Sequence, residues 1–241
     1  MNAIRATLLG LCLLASFILP PSTMAGGIEL TPFNARYSLY NGSIHIANID
    51  LSLQRFEETW QWRMTTKPTG FFSLFTSKKP TSETTVRVAD NVFQLQQIFI
   101  SDPGNKKNDE TAFFDWEQKA AIVERRKKES LFDLSAEVFD FHSVHMLAAQ
   151  MTLQKTKSRT VDFYHKGRFI KSTLNNRGPA NLALPDKTVK ANLFEQEMVG
   201  SEAKLKYFYD SKNNFLPLRI ERQNSGDSTS IMVIKQVIWG S

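Results

Sequence analysis

Phe33 to Gln54 reads FNARYSLYNGSIHIANIDLSLQ, and this stretch decides the fold. On both sides of Asn41-Gly42 the residues alternate with period two, and leucine, aromatic and β-branched side chains supply the apolar positions. That is the pattern of a strand with one buried face. Asn-Gly tolerates the positive φ angles of a tight reversal, so the segment predicts a β-hairpin.

The same pattern extends outward from the hairpin. Thr59 to Thr66 (TWQWRMTT) alternates, and further strands are predicted at Glu83–Ala89, Val92–Ile100, Thr111–Trp116, Ala120–Arg125 and Ser130–Asp133. The second half adds Thr160–His165, Arg168–Asn175, Lys187–Glu197, Ala203–Asp210, Leu216–Gln223 and Thr229–Trp239. Turn-forming residues such as Lys166-Gly167 and Ser225-Gly226-Asp227 separate them. Short strands joined by tight turns predict an all-β antiparallel meander, not βαβ units.

One segment departs from this. From Phe139 to Lys155 the apolar residues Phe141, Val144, Met146, Leu147, Met151 and Leu153 suit a helix, and Asp140 is the expected N-cap. The predicted architecture is therefore a long antiparallel sheet curled into an open or incomplete barrel, with one central helix at its mouth or interior. No Pro-, Gly- or Ser-rich linker and no repeat divides the chain, so residues 26–241 are expected to form a single β-rich domain.

The first 25 residues have another purpose. Arg5, the apolar run Leu8 to Leu19, the helix-breaking Pro20-Pro21 and the small residues Thr23 and Ala25 form a secretory signal peptide, with cleavage expected after Ala25. The run is too short for a membrane span. The single cysteine, Cys12, lies inside it and has Leu11 before it, which is not a lipidation pattern. Export thus leaves a chain without thiolate chemistry or disulfides.

The net charge is +6 and the pI about 9.4, and only Arg5 leaves with the leader. Outside the cytoplasm this excess argues against nucleic acid and toward anionic membrane surfaces or acidic polymers. The basic residues lie in turn-like clusters (Lys78-Lys79, Lys106-Lys107, Arg125 to Lys128) that also suit solvated turns.

Candidate chemistry is sparse. His142 and His145 could share a helix face, but two imidazoles without further ligands do not make a metal site. Ser143 beside His142 diverges from it by about 100° on a helix, and no Gly-x-Ser-x-Gly or His-Glu-x-x-His motif occurs. Asp115 is expected to cap a turn or to accept hydrogen bonds beside Trp116. No catalytic residue, metal or cofactor is predicted, and the chain is expected not to be an enzyme. The most unusual apolar stretch is Gly70-Phe71-Phe72-Ser73-Leu74-Phe75, which neither alternates nor shows a helical face. It reads as core folded over the open end of the sheet, or as a loop that touches lipid.

Several of these segments resemble one family. Phe113-Phe114-Asp115-Trp116, the strand Ala121 to Arg125, Asp140-Phe141-His142-Ser143 opening a helix, and Asn214 to Ile220 with its Leu-Pro-Leu step occur in this order after an early Phe33…Tyr37 strand. The arrangement, spanning about residues 30–239, resembles the bacterial exported proteins grouped as domain of unknown function 3108. Gln150 and Met151 depart from that pattern, which has an arginine after the leucine. The resemblance implies a periplasmic β-rich domain without an established activity, similar in its curled sheet to the open barrels of Lol-type lipoprotein carriers.

Together these readings predict a periplasmic, non-enzymatic protein that binds a lipid, acyl chain or lipidated envelope protein between sheet and helix. The expected lining is Trp60, Trp62, Phe71, Phe72, Phe75, Phe141 and Leu147. The alternative is an envelope structural or interaction protein with a filled barrel, binding a protein or anionic polymer through its surface.

Overall fold

The computed structural model describes residues 28–70, 73, 78–89, 92–135, 137–223 and 229–240. The expected leader, and Phe71, Phe72 and Phe75, lie outside the described residues.

Asn41-Gly42 makes the predicted hairpin between β1 (Phe33–Asn41) and β2 (Ile44–Phe56), with Gly42 at φ +57°. The meander continues through β3 (Thr59–Pro68), β4 (Thr81–Ala89), β5 (Val92–Ser101), β6 (Glu110–Asp115), β7 (Ala120–Arg125) and β8 (Lys128–Asp133). A two-residue β9 (Val138–Phe139) and the helix α1 (Val144–Leu153) follow. The chain then returns through β10 (Ser158–His165), β11 (Arg168–Ala183), β12 (Thr188–Met198), β13 (Lys204–Asp210), β14 (Pro217–Gln223) and β15 (Thr229–Trp239). Because β15 pairs with β1, all these strands lie, among the described residues, in one 15-stranded sheet that ends at β8 on one side and β9 on the other. The curled sheet is thus an incomplete barrel whose seam lies between two strands close in sequence.

The helix belongs inside this sheet for a topological reason. β9 and β10 pair in parallel, and parallel neighbours need a crossover connection. That crossover is α1, which runs through the concavity. His145 of α1 meets Trp62 of β3 on one wall, with ring centroids 5.2 Å apart, and Tyr207 and Tyr209 of β13 on another, at 5.8 and 5.6 Å. Four strands separate β3 from β13 in the sheet. Every residue from Val144 to Met151 is buried, so the helix has no solvent face until its last two residues, as expected of one enclosed by other elements.

Period-two alternation sets which side chains meet the helix. Phe33, Ala35 and Tyr37 of β1, Ile49, Leu51 and Leu53 of β2, and Trp60 and Trp62 of β3 are all buried. Two irregularities shift this phase. Between β1 and β2 the pairing steps from Leu39↔Ala47 to Tyr40↔His45, leaving Ile46 as an extra residue. Such a bulge turns everything beyond it to the other face, and Ile44 is therefore 61% exposed. The second corrects a strand boundary. β11 continues eight residues past the predicted end at Asn175, because a bulge at Asn176/Gly178, with Gly178 at φ +84°, absorbs the apparent breaker Asn-Asn-Arg-Gly-Pro. The helix is also shorter than expected. Phe139 belongs to β9, and residues 141–143 form a turn ahead of α1.

Candidate ligand-binding cavity

Asp140 organises the entry to the helix. Its Oδ1 accepts from the Ser143 amide at 2.7 Å and from the Ser143 hydroxyl at 2.6 Å, while the Ser143 Oγ accepts from the Asp140 amide at 2.8 Å. This reciprocal, capping-box-like pair closes the turn that leads into α1, whose own N-cap position falls on Ser143, three residues after the expected Asp140, and makes no side-chain cap bond. Oδ2 of Asp140 accepts from Thr84 Oγ1 of β4 at 2.5 Å, which ties the helix start to the wall. His142 reaches Ser82 of the same strand through Nε2, at 2.8 Å.

The half of the barrel around the helix body is packed solid. Trp62 stacks on His142 at 6.4 Å and meets Phe33 edge-on at 5.7 Å. Phe33 in turn meets Phe215 and Trp239. Burial lowers the pKa of His142, in the turn before α1, and of His145 within it, to about 3 for His145, where the charge of His142 adds to the effect. Both are therefore neutral core residues. Tyr209 supports His145 by a 2.8 Å hydrogen bond to Nδ1. Among the described residues no group of three or more His, Cys, Asp or Glu side chains could hold a metal. Asp115 accepts from the Glu117 and Gln118 amides, which makes it the expected turn cap.

The other half is not filled. A cavity of about 250 Å³ is lined by Leu39, Ile49, Met64, Phe141, Phe163, Met198, Leu205, Ile220 and Met232, with Thr66, His165, Gln196, Tyr207, Arg222 and Ser230 among them. Leu39, Thr66, His165, Met198 and Arg222 lie toward the ends of their strands, and Leu205 and Ser230 toward the starts of theirs. The cavity therefore lies at the end of the barrel that carries the β1–β2, β10–β11, β12–β13 and β14–β15 turns. Its deepest polar groups bond to one another. Tyr207 donates to Gln196 Oε1 at 2.5 Å, and Gln196 Nε2 donates to Ser172 Oγ at 2.8 Å. What remains toward the interior is chiefly apolar, as in small-molecule sites.

A second pocket, of about 220 Å³, lies at the seam and shares Met64, Phe141 and His165 with the first. Its carboxylates are already engaged. Asp140 closes the turn before α1, and Glu110, with a side chain only 2% exposed, pairs with Arg125 Nε at 2.8 Å. Arg125 also donates to the Lys166 carbonyl at 3.0 Å. One charged cluster thus joins β6 and β7 to the β10–β11 turn where no ladder closes the sheet.

The predicted lining residues divide. Phe141 borders both pockets. Trp60, Trp62 and Leu147 are buried among the packed residues and border neither, Trp60 lying beneath the Arg55 guanidinium at 5.9 Å. Phe71, Phe72 and Phe75 fall outside the described residues. Sequence reasoning missed His165, Arg222 and Glu110. Each had a signal, since it occupies the inward phase of its strand, in step with Phe163, Ile220 and Ala112 respectively.

The family described as "Protein of unknown function (DUF3108)" matches residues 36–232. No curated protein matches the chain. Among solved structures, the chain is similar to a beta-barrel-like protein of domain of unknown function DUF1849 from Brucella abortus. The two are 11% identical with a TM-score of 0.57, over 89% of this chain and 100% of that one. A protein with a YmcC-like fold from Bacteroides fragilis is 9% identical with a TM-score of 0.31, over 88% and 98%. The Brucella likeness shows the beta-barrel-like fold and carries no function with it.

Proposed function

The chain belongs to the DUF3108 family of proteins of unknown function, and on that premise we propose that it is an exported, non-enzymatic protein that holds a single acyl chain in its barrel. The observation that carries this reading is the apolar cavity of about 250 Å³ beside Phe141, Leu205 and Met232. Its volume is just below the ~300–1,000 Å³ of typical small-molecule sites, which suits one chain rather than a multi-acyl lipid. Export to the periplasm is supported by the leader pattern from Arg5 to Ala25. A binding role is supported by the state of the buried polar groups. Asp140 is used in the turn before α1, and His142 and His145 are neutral and packed against Trp62.

Native mass spectrometry of protein secreted with its own leader and purified from the periplasm without detergent tests this reading. The expected spectrum shows the chain carrying one adduct in the mass range of a fatty acid or single-chain lipid. Bare protein, unable to take up added fatty acid, would overturn it.

A second reading also has support. Phe113 of β6, Ile122 of β7 and Leu131 of β8 are register partners in one outward row, 52%, 45% and 73% exposed. An apolar row beside an open strand edge is a common protein-docking feature. It supports an envelope interaction role, which pull-down against envelope proteins with and without Leu131→Lys would test.

A further inference from the structure

The cavity and the charges around its mouth point to the chemistry of the ligand's polar end. This step rests on the acyl-chain reading above and deepens it.

Three cations surround the opening. Arg222 lines the cavity and occupies the last inward position of β14, beyond Ile220. Arg168 is the register partner of His165 and shares the inward phase of Ser172 and Leu174 on β11. Lys166 lines the adjoining seam pocket. All three side chains are exposed, and none forms an ion pair among the described residues. Several cations of the outer face are already neutralised. There Arg36, Arg63, Lys67, Arg87, Arg177 and Arg219 each have a carboxylate partner.

His165, on the rim between the two pockets, senses this field. Its pKa falls to about 4, first through burial and then through the charges of Lys166, Arg222, Arg168 and Arg125, all of them positive. The carboxylate of Glu110 is taken up by Arg125, and that of Glu221, beside Arg222, pairs with Arg219. An apolar cavity rimmed by unpaired cations complements an amphiphile with a negative head, because guanidinium groups bind carboxylate and phosphate in a bidentate fork.

We propose that the cavity takes a single-chain anionic amphiphile, its tail between Phe141, Leu205 and Met232 and its carboxylate or phosphate-monoester head held by Arg222, Arg168 and Lys166. The seam pocket is not the head-group site, since Asp140 and Glu110 already place two carboxylates there.

Displacement of the neutral fluorophore N-phenyl-1-naphthylamine from the full mature chain tests the assignment. The competitors share one tail: decanoate, decyl phosphate, decanol and decyltrimethylammonium. The two anions are expected to displace the probe at concentrations at least tenfold below decanol, with the cation weakest. The better of the two anions tells a fatty-acid source from a phosphate-bearing lysolipid source. The double variant Arg222→Gln/Lys166→Gln should narrow the anion advantage over decanol to under threefold, each competitor being scored against the variant's own probe affinity. NMR of His165 provides a second readout, since a bound anion should raise its pKa. Equal displacement by decanol and the anions, or an advantage that survives the double variant, overturns the head-group assignment and leaves the acyl-chain reading standing. Failure of the probe and every competitor to bind overturns both.

Discussion

Nδ1 of His145, in the enclosed helix, lies 2.8 Å from the Tyr209 hydroxyl on β13. The bond anchors the helix to the far wall of the barrel and leaves an imidazole where it cannot easily become charged. Acid should therefore loosen the fold. The native pKa of His145 is about 3 and that of His165 about 4, and His142 is also lowered. Between about pH 4 and 6.5 His145 and His165 are neutral in the native state and protonated in the unfolded chain, and the lowered His142 acts in the same direction. The unfolded chain binds more protons in that window, so stability falls as the pH is lowered through it. Each ring contributes up to about 1.4 kcal/mol per pH unit. Denaturant unfolding measured from pH 7 to 4.5 should show this slope, and His145→Gln, which keeps a partner for Tyr209 without titrating, should reduce it by roughly one proton. An unchanged slope in the variant would contradict the assignment.

Removing the Asp140 carboxylate should be costly because its partners are buried. Asp140→Ala leaves the Ser143 amide and the Ser143 and Thr84 hydroxyls without their acceptor. The expected loss is roughly 2–4 kcal/mol, combining a cap-like contact with unsatisfied buried donors. Ser143→Ala should lose about 1 kcal/mol. Equilibrium unfolding in urea measures both. Equal and small effects would mean that the pair does not hold the helix start.

The seam should depend on a charged contact more than on any ladder. Glu110→Ala strands Arg125 beneath the β10–β11 turn, and breaking a buried pair in this way costs about 3–5 kcal/mol, less here because the Arg125 side chain is 25% exposed. Hydrogen exchange should locate the damage. Amides of β6 and β10 are expected to lose protection while those of the β1–β2 hairpin keep theirs. Uniform loss across the sheet would show that the pair is not a seam contact. Gly167→Ala should act at the same place. Its Cβ would stand 2.9 Å from Arg125 Cδ, at a φ of +75° that disfavours side chains.

Much of this molecule is legible in its sequence, and the gaps have physical causes. The hairpin at Asn41-Gly42 and the alternation of TWQWRMTT specify strands because local turn chemistry and period-two burial agree there. The end of β11 was obscured because Gly178 reads as a breaker until a bulge absorbs it. Ile44 looks like core from its alternation, yet the extra residue at Ile46 sends it outward. Trp60 and Trp62 are both buried on β3. Whether an inward aromatic fills the interior or borders a cavity depends on what faces it across the barrel, and Trp62 faces His142 and His145, at the start of a helix that is distant in sequence. The Glu110–Arg125 pair lies on neighbouring strands. Its contact with Lys166 forms only because the two ends of the sheet meet.

The central claim is that the space beside Leu205 is a binding site, and filling it is the most direct test. Leu205 is a buried cavity-lining residue, and Leu205→Trp places an indole in that space. In a titration with N-phenyl-1-naphthylamine, the native chain should show one saturable site, and the variant, folded by circular dichroism, should lose at least tenfold in affinity. Absence of saturable binding to the native chain, or equal affinity in the two proteins, would contradict the account.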